Sequence, residues 1–549
     1  AYRVQIRLKG DREMHYNDLE KLSFRVKLRG ANVLWGMKVF SLHKPRARNY
    51  IFEWLWLEMM KYEGLIAPEY KFINLSLNGK DLGIYALEEH YDKHLLERYN
   101  HRDGPIIRFT ENFGTRVNEK TLVLPYRKKT WSSAENLPVT ERAVHLLEKF
   151  GRGQIGVERV FDLDKLAKFY AISDLFVAHH GNFTKSLRYY YNPLVGKLEP
   201  IPFDGHYLIE KHYLLEKGLP LLGKSFFISS ERAINPDPAN SWYHVYKGYK
   251  EYLRLLFNNY DTFSPDFFKR YIEYLEKYSR SEYLGKFFSK IEKRLDYNLQ
   301  MIYKNFPLED NITYFGPGAF VFHKSVVYKN QHKLRRKLQD YKASKMDIRA
   351  HWLGVDSGNL VLEVINREWV PIKIMRATCG NINFLPVNKA IIIAGDPRKA
   401  QKIQFKSPKG NKVVEENIDC LTVSYKLLGL GIEKEVEVFP WKLVEERYRP
   451  DGIFDKHASI TRFKFIEVDR RSHTILVKPG DWEIDENLVI PPQYKFIVSA
   501  GAQINLINNA LILSYSPLEF LGTRENPIII RSGDNSGQGL VVLQAGETS

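Results

Sequence analysis

Several patterns that would narrow the function at once are missing from this sequence of 549 residues. Cysteine occurs only at Cys379 and Cys420, so the chain has either one disulfide or two buried thiols, and no zinc-finger spacing is present. No apolar run approaches the roughly 18 residues that a membrane helix needs. No basic run is interleaved with stacking aromatic residues, which makes nucleic acid a poorly supported partner.

The charge of the chain is the first feature that indicates what kind of partner it binds. Lysine and arginine number 82 against 65 acidic residues, a formal net charge of +17. This excess predicts anionic partners, such as nucleotide phosphates, acidic proteins or cell-surface polysaccharide. The hydrophobic content of 44% and the charged content of 27% are typical of globular proteins. At about 150 residues per domain, the length predicts a modular chain of three or four domains.

The first 310 residues divide into a strand-rich part and a helical part. Residues 1–130 alternate short strands with one helix near residues 49–63, and Asn78-Gly79 predicts a hairpin because both turn positions need positive φ. Residues 131–310 show helical periodicity, interrupted by a β insert at residues 187–204 that ends in an acidic residue.

The rest of the chain is rich in β patterns. Residues 311–345 form a basic connector, which predicts a helix with a solvated basic face. Residues 346–452 show short strands separated by turns, which predicts an immunoglobulin-like β-sandwich. Residues 453–549 show shorter repeated strands that resemble the start of a right-handed parallel β-helix, with a continued sandwich as the alternative. The repeats reach the last residues without a polar cap, which predicts truncation.

Short segments in the first 310 residues resemble, in order, the family of spore-coat protein H, whose members have an atypical protein-kinase fold. The segments are RLKG (7–10), KLSFRVK (21–27), LNGKDLGIY (77–85), EHYDK (89–93), GPIIR (104–108), YYYNP (189–193) and IPFDG (201–205). The resemblance implies a two-lobed α+β kinase-like domain, with residues 1–130 as the first lobe and residues 131–310 as the second. It does not extend to the later modules of this multidomain chain.

The resemblance also implies phosphoryl transfer from ATP, with Mg²⁺, to a hydroxyl-bearing protein. Asp204 would be the metal carboxylate, and the alternative is a surface turn aspartate. Arg108 stands where the family has a lysine and would bind phosphate, with Glu89 as its anionic partner or, alternatively, as a solvated residue of a first helical turn. The nucleotide phosphates would lie under the hairpin residues Asn78, Gly79 and Gly83, unless these residues only form a turn.

The catalytic positions depart from the family pattern. A kinase places its catalytic Asp five residues before a metal-binding Asn, and here those positions hold Gly181 and Ser186. We predict Ser186 as a metal ligand and His180 and Asn182 as catalytic substitutes, with His179 and Asp174 as further candidates. The alternative is that His180 only caps or packs a helix end. Loss of a general base costs about 10²–10⁴-fold in rate, so a slow kinase and an inactive one both stay open.

Two further expectations complete the sequence prediction. Arg108 and Asp204 should come from different lobes and converge on one cleft, whereas unrelated surface residues would lie far apart. The coat-family resemblance and the β-rich modules predict a secreted or cell-envelope protein of bacterial type. The alternative function is a pseudokinase or structural adhesion protein with glycan-binding rear modules.

Overall fold

The computed structural model describes the residues 1–10, 15–16, 21–110, 123–205, 252–257, 262–305, 312–313, 316–317, 322–343, 345–368, 370–388, 391–392, 400–406, 418–441, 460–543 and 545. The chain forms two compact units, Ala1–Lys442 and Leu443–Ser549. None of the described helices combines the length and apolar composition that crossing a membrane requires. The finer division into five domains stays a prediction.

The first sheet of the larger unit is antiparallel, with strand order β1-β2-β3-β5-β4. Its strands are β1 (Val4–Leu8), β2 (Phe24–Leu28), β3 (Val39–His43), β4 (Tyr70–Leu77) and β5 (Lys80–Glu89). Because side chains alternate between the faces of a strand, one face carries apolar residues such as Val26 and Leu87. The other face carries a polar row, in which Arg25 lies between Arg7 and Ser41 and Ser41 lies beside Glu88.

The hairpin prediction is confirmed. Strands β4 and β5 are adjacent and antiparallel, and the turn residues Asn78 and Gly79 have φ values of 52° and 81°. The helix predicted after β3 is also confirmed as α1 (Ile51–Tyr62). All ten residues from Ile51 to Met60 are buried, so α1 is enclosed on every side, and its charged residues Glu53 and Glu58 lie inside the protein.

A second antiparallel sheet has the order β7-β6-β8-β9. Its strands are β6 (Ile106–Phe109), β7 (Val123–Pro125), β8 (Arg188–Asn192) and β9 (Lys197–Ile201). Strands β8 and β9 form the predicted insert, and Asp204 follows β9. The sequence predicts that Arg108 and Asp204 come from different lobes. The structure instead associates both with one sheet, because β6, which carries Arg108, pairs directly with β8. Strand periodicity predicts that a segment is extended but not which sheet it joins.

The larger unit also contains helices, some of which pack against these two sheets and some against other helices. They are α2 (Lys93–Arg98), α3 (Lys128–Trp131), α4 (Leu137–Gly151), α5 (Val157–Val160), α6 (Leu163–Leu175), α7 (Pro265–Ser279), α8 (Ser281–Asn305) and α9 (Ser325–Ala343). Side chains cap the starts of α2, α6 and α7, since Asp92 accepts from the N–H of His94, Asp162 from that of Lys165 and Ser264 from that of Phe267. The basic connector forms α9, which buries Leu334 and exposes Arg335.

The remainder of the larger unit is β-rich. Its strands are β10 (Ile312–Thr313), β11 (Gly316–Pro317), β12 (Ile348–Asp356), β13 (Asn359–Asn366), β14 (Ile372–Cys379), β15 (Ile382–Pro386), β16 (Ile391–Ile392), β17 (Gln401–Lys406), β18 (Leu421–Leu427) and β19 (Glu433–Phe439). The strand order is β15-β17-β13-β12-β19-β18-β14-β16, and a further pairing joins β15, the first strand of this order, to β14, the last but one. Cys379 and Cys420 form a disulfide beside the β14–β18 pair, with a Cα–Cα distance of 4.8 Å.

The smaller unit has three groups of stacked strands. Its strands are β20 (Ile466–Asp469), β21 (Thr474–Val477), β22 (Gly480–Ile484), β23 (Leu488–Ile490), β24 (Lys495–Val498), β25 (Ala502–Leu506), β26 (Leu511–Ser514), β27 (Leu518–Phe520), β28 (Ile529–Arg531) and β29 (Gly539–Val542). Parallel pairs join β21-β24-β27, β22-β25-β28 and β23-β26-β29. Apolar residues of these strands share one core, so strands of three to five residues are stabilised by stacking.

Candidate functional site

Three carboxylates surround one guanidinium in the interior of the larger unit. Arg48 ends the 3-10 helix that precedes α1, and its Nη1 lies 2.6 Å from Oδ1 of Asp204. Burial alone lowers the pKa of Arg48, but the carboxylates of Asp204, Glu88 and Glu53 raise it overall. The arrangement therefore keeps Arg48 charged although little of it contacts solvent.

The backbone of Asp204 is held in an uncommon conformation. Its φ is 58°, in the left-handed region that few non-glycine residues adopt. The N–H of Asp204 donates to Oε1 of Glu53 at 3.0 Å. Nδ1 of His180 lies 2.8 Å from the Asp204 carbonyl oxygen and 3.4 Å from Oδ1. Because a carbonyl only accepts, Nδ1 of His180 carries a proton and donates it to this hydrogen bond.

Two glycines let the Asp204 turn and the His180 turn approach Trp56. A Cβ added to Gly205 would lie 2.3 Å from Cε3 of Trp56, and one added to Gly181 would lie 2.7 Å from Cη2 of Trp56 and 3.0 Å from the Cα of Gly205. Gly181 is the position where the family pattern leads one to expect an aspartate. The packing leaves no room there for any side chain.

Asn182 and Ser186, both predicted from the sequence, are almost completely buried. Within the described part of the chain, neither amide atom of Asn182 nor Oγ of Ser186 has a hydrogen-bond partner. Buried polar groups without partners are rare in folded proteins because each costs about 1–3 kcal/mol, and one explanation is an absent ligand.

These side chains fit the requirements of Mg²⁺, which prefers oxygen ligands. Asp204 offers a carboxylate, Asn182 an amide oxygen and Ser186 a hydroxyl. No group of three or more His, Cys, Asp or Glu residues suited to a metal ion occurs among the residues described above. A metal bound here would therefore depend on amide, hydroxyl and external oxygens in addition to Asp204.

A second cation–carboxylate pair adjoins Arg48. Nζ of Lys9 donates to Oε2 of Glu88 at 2.8 Å, and Glu88 is buried. Burial alone raises the pKa of Glu88, but Lys9 and Arg48 lower it to about 2. Glu88 is therefore ionised at neutral pH, and the pair places an ammonium group on the same side of the first sheet as Arg48.

The predicted pairing of Glu89 with Arg108 is corrected by the structure. Glu89 binds Arg98 through two hydrogen bonds of 2.6 and 2.7 Å and accepts the N–H of Glu69 at 2.8 Å. Adjacent residues of a strand face opposite sides, so Glu88 lies on the polar face of the sheet and Glu89 does not.

Arg108 is connected to the Asp204 region through aromatic rings. The guanidinium of Arg108 lies 5.9 Å from the centre of the Tyr126 ring. Arg188 lies 5.6 Å from the same ring and 4.6 Å from the ring of Phe203. Arg48 also lies beside the Phe203 ring, at 5.2 Å. Alternating cations and rings thus separate Arg108 from the carboxylate of Asp204.

The hairpin residues occupy two different environments. Asn78 and Gly79 are exposed at the turn. At Gly83, where φ is 72°, an added Cβ would lie 2.3 Å from Oδ1 of Asn305. Asn305 ends α8 and accepts from the N–H of Ile84 at 2.7 Å and from Lys21 at 2.9 Å. Gly83 therefore provides space for the end of a helix.

Four residues of this site were missed at the sequence level: Lys9, Arg48, Glu53 and Glu88. Lys9 belongs to the RLKG segment that carries the family resemblance, and Glu53 is a carboxylate in an otherwise apolar run of helix. Both signals were present in the sequence. Arg48 and Glu88 had no comparable signal, because their importance arises from pairing with distant residues.

The family model described as CotH kinase protein matches residues 6–290. The match begins within β1 and ends within α8. It includes the rest of the first sheet, the whole of the sheet β7-β6-β8-β9, and Asp204. No curated protein shows significant similarity to the chain.

Proposed function

Because the chain belongs to the CotH kinase protein family, we propose that its larger unit binds ATP with Mg²⁺ and transfers the terminal phosphoryl group to a protein hydroxyl. Phosphoryl transfer needs cations on the phosphates, a carboxylate for the metal and a group that accepts the proton of the attacking hydroxyl. The observation that carries the proposal is the proximity of the Lys9–Glu88 and Arg48–Asp204 ion pairs, in which Glu88 is buried and the other three side chains are half-buried.

Each group has a role that its contacts support. Lys9, held by Glu88, would bind phosphate oxygens in the manner of the lysine–glutamate pair of kinases. Asp204, Asn182 and Ser186 would hold Mg²⁺, which neutralises charge on the phosphates. Arg48 lies close enough to Asp204 to contact a phosphate that shares the metal.

His180 is the proposed proton acceptor. Its Nδ1–H donates to the carbonyl of Asp204 and so orients the ring, and Nε2 would accept the proton when the hydroxyl oxygen bonds to phosphorus. The bond from phosphorus to the leaving oxygen breaks, and ADP departs. Gly181 leaves no space for the aspartate that would otherwise serve as base.

Binding and transfer can be tested separately. Isothermal titration with ATP and Mg²⁺ should show binding that Asp204→Ala weakens, and radiolabelled ATP should give phosphate incorporation that His180→Ala reduces by about 10²-fold. Asp481→Ala, an exposed substitution in the smaller unit, is the control. Absence of nucleotide binding by the wild-type protein would exclude the proposal.

A pseudokinase is the second candidate. Two observations favour it: Asp204 already forms an ion pair with Arg48, and position 181 holds glycine where a kinase has its catalytic acid. Nucleotide binding does not distinguish a pseudokinase from a kinase. If the protein is a pseudokinase, the wild-type protein and the Asp204→Ala variant should incorporate the same background amount of phosphate.

The other sequence predictions extend this proposal. The first two sheets and their helices would form the two kinase-like lobes, the ring of strands around Cys379–Cys420 would be the sandwich, and the three parallel stacks would open a β-helix. Membership of a family related to the spore coat suggests that the protein is associated with a surface. A polysaccharide partner for the rear modules rests on fold analogy alone.

A further inference from the structure

A cavity of about 730 Å³ lies on the polar face of the first sheet. Among the residues that the structure describes, its lining includes six cations, namely Arg7, Arg25, Lys27, Lys38, Lys93 and Arg127, and one carboxylate, Asp92. Asp92 is already engaged, because it accepts the N–H of His94 at 2.9 Å and caps α2. Arg127 pairs with Asp103 at 2.9 Å and Lys93 with Glu97 at 3.4 Å. Among the described residues of the lining, the positive charges of Arg7, Arg25, Lys27 and Lys38 therefore stay without an ion-pair partner.

The positive charge is built into the strand register. Arg7 of β1 lies directly opposite Arg25 of β2, and like charges in that relation destabilise a sheet. Within the described ranges, Arg7, Arg25 and Lys27 take part in no ion pair, and Nε of Arg25 is buried without a hydrogen-bond partner. An anion from outside the chain would relieve the repulsion.

The nucleotide is a poor occupant of this cavity. Ile6 and Val39 are the aliphatic residues of its lining within the part of the chain that the structure describes, whereas pockets for small organic ligands are lined predominantly by hydrophobic and aromatic side chains. In the proposed nucleotide site, Lys9 and Arg48 bind the phosphates of ATP. The two regions adjoin, because Arg25 lies opposite Ser41 and Ser41 lies opposite Glu88.

We propose that this cavity binds an acidic segment of the protein that receives the phosphoryl group, with carboxylate side chains next to the reacting hydroxyl. The inference rests on the proposed function and specifies its acceptor. Guanidinium and ammonium groups on a fixed strand pair would hold the carboxylates, and the neighbouring cluster would hold the nucleotide.

Fluorescence anisotropy with three short serine-containing peptides of equal length tests the proposal at physiological ionic strength. One peptide has Asp and Glu around the serine, the second has Asn and Gln, and the third has Lys. The acidic peptide should bind at least about tenfold more tightly than its amide counterpart. The double variant Lys27→Gln, Lys93→Gln should remove most of this preference, and Lys269→Gln, which changes an exposed lysine on α7, should preserve it.

A non-hydrolysable ATP analogue with Mg²⁺ completes the experiment. Retained binding of the acidic peptide at saturating analogue supports an acceptor site, and competition overturns it by giving the cavity to the nucleotide. Equal binding of the acidic and amide peptides also overturns it. Acidic-peptide binding by a protein that binds no nucleotide would keep the cavity assignment and exclude the kinase function, so the two failures are distinguishable.

Discussion

Arg48 and Asp204 form an ion pair of 2.6 Å between the segment before α1 and the turn after β9. The carboxylate that we assign to Mg²⁺ is therefore already paired with a cation of the protein. Metal binding without nucleotide has to compete with this guanidinium, whereas a bound nucleotide offers Arg48 phosphate oxygens in exchange.

Replacing Arg48 should strengthen metal binding in the nucleotide-free protein. We expect Arg48→Ala to increase Mn²⁺ affinity by roughly tenfold, about 1.4 kcal/mol, measured by electron paramagnetic resonance of free Mn²⁺. Arg46→Ala, on the same 3-10 helix, is the control. If the alanine variant fails to fold, Arg48→Gln serves the same purpose. Unchanged Mn²⁺ affinity in a folded variant would show that Arg48 does not compete for the metal.

Glu88 and Glu89 should separate nucleotide binding from stability. Glu88→Gln removes the counter-charge of Lys9 and should weaken ATP binding by about tenfold in isothermal titration. Glu89→Gln weakens the bonds to Arg98 and should lower the free energy of unfolding by about 1–3 kcal/mol, with ATP affinity retained. The reverse pattern would place Glu89 in the nucleotide site.

Gly83→Ala should destabilise the protein more than Gly79→Ala. Both glycines have positive φ, so both variants carry similar backbone strain. Only at Gly83 does the new methyl group meet Asn305, while nothing lies within 4 Å of a Cβ at Gly79. The difference should be about 1–3 kcal/mol in chemical denaturation. Equal losses would indicate that the end of α8 does not dock against this strand.

Asp174 should make stability depend on pH. Burial raises the pKa of Asp174 to about 8, although the hydrogen bond from Tyr271 lowers it in part. The folded protein then keeps a proton that the unfolded chain loses above its pKa of about 4, so the free energy of unfolding falls as pH rises from there towards 8.

The variant Asp174→Asn should remove this pH-dependent part of the free energy of unfolding. The stability of Asp174→Asn relative to the wild-type protein is expected to increase between pH 5 and 8, by at most about 1.4 kcal/mol per pH unit. Asp164→Asn is the control on the same helix, because the pKa of Asp164 is lowered and that carboxyl stays ionised across the range. Parallel curves for Asp174→Asn and the wild-type protein would contradict the assignment.

Local physical chemistry was sufficient for much of the fold. The positive φ that Asn and Gly tolerate predicted the turn at Asn78-Gly79, and helical spacing of apolar residues predicted α1. Alternation and turn residues predicted the β8–β9 insert that leads to Asp204. The ordered family segments predicted the CotH membership that the match over residues 6–290 shows.

Tertiary structure alone decided which residues meet. The sequence does not specify that β6 pairs with β8, that Glu88 and not its neighbour faces Lys9, or that Asn305 fills the space beside Gly83. It also does not reveal that Arg48 reaches Asp204. These contacts join residues far apart in the chain, and their formation depends on strand register and on burial of distant surfaces, whereas turns and helices follow from the conformational preferences of neighbouring residues.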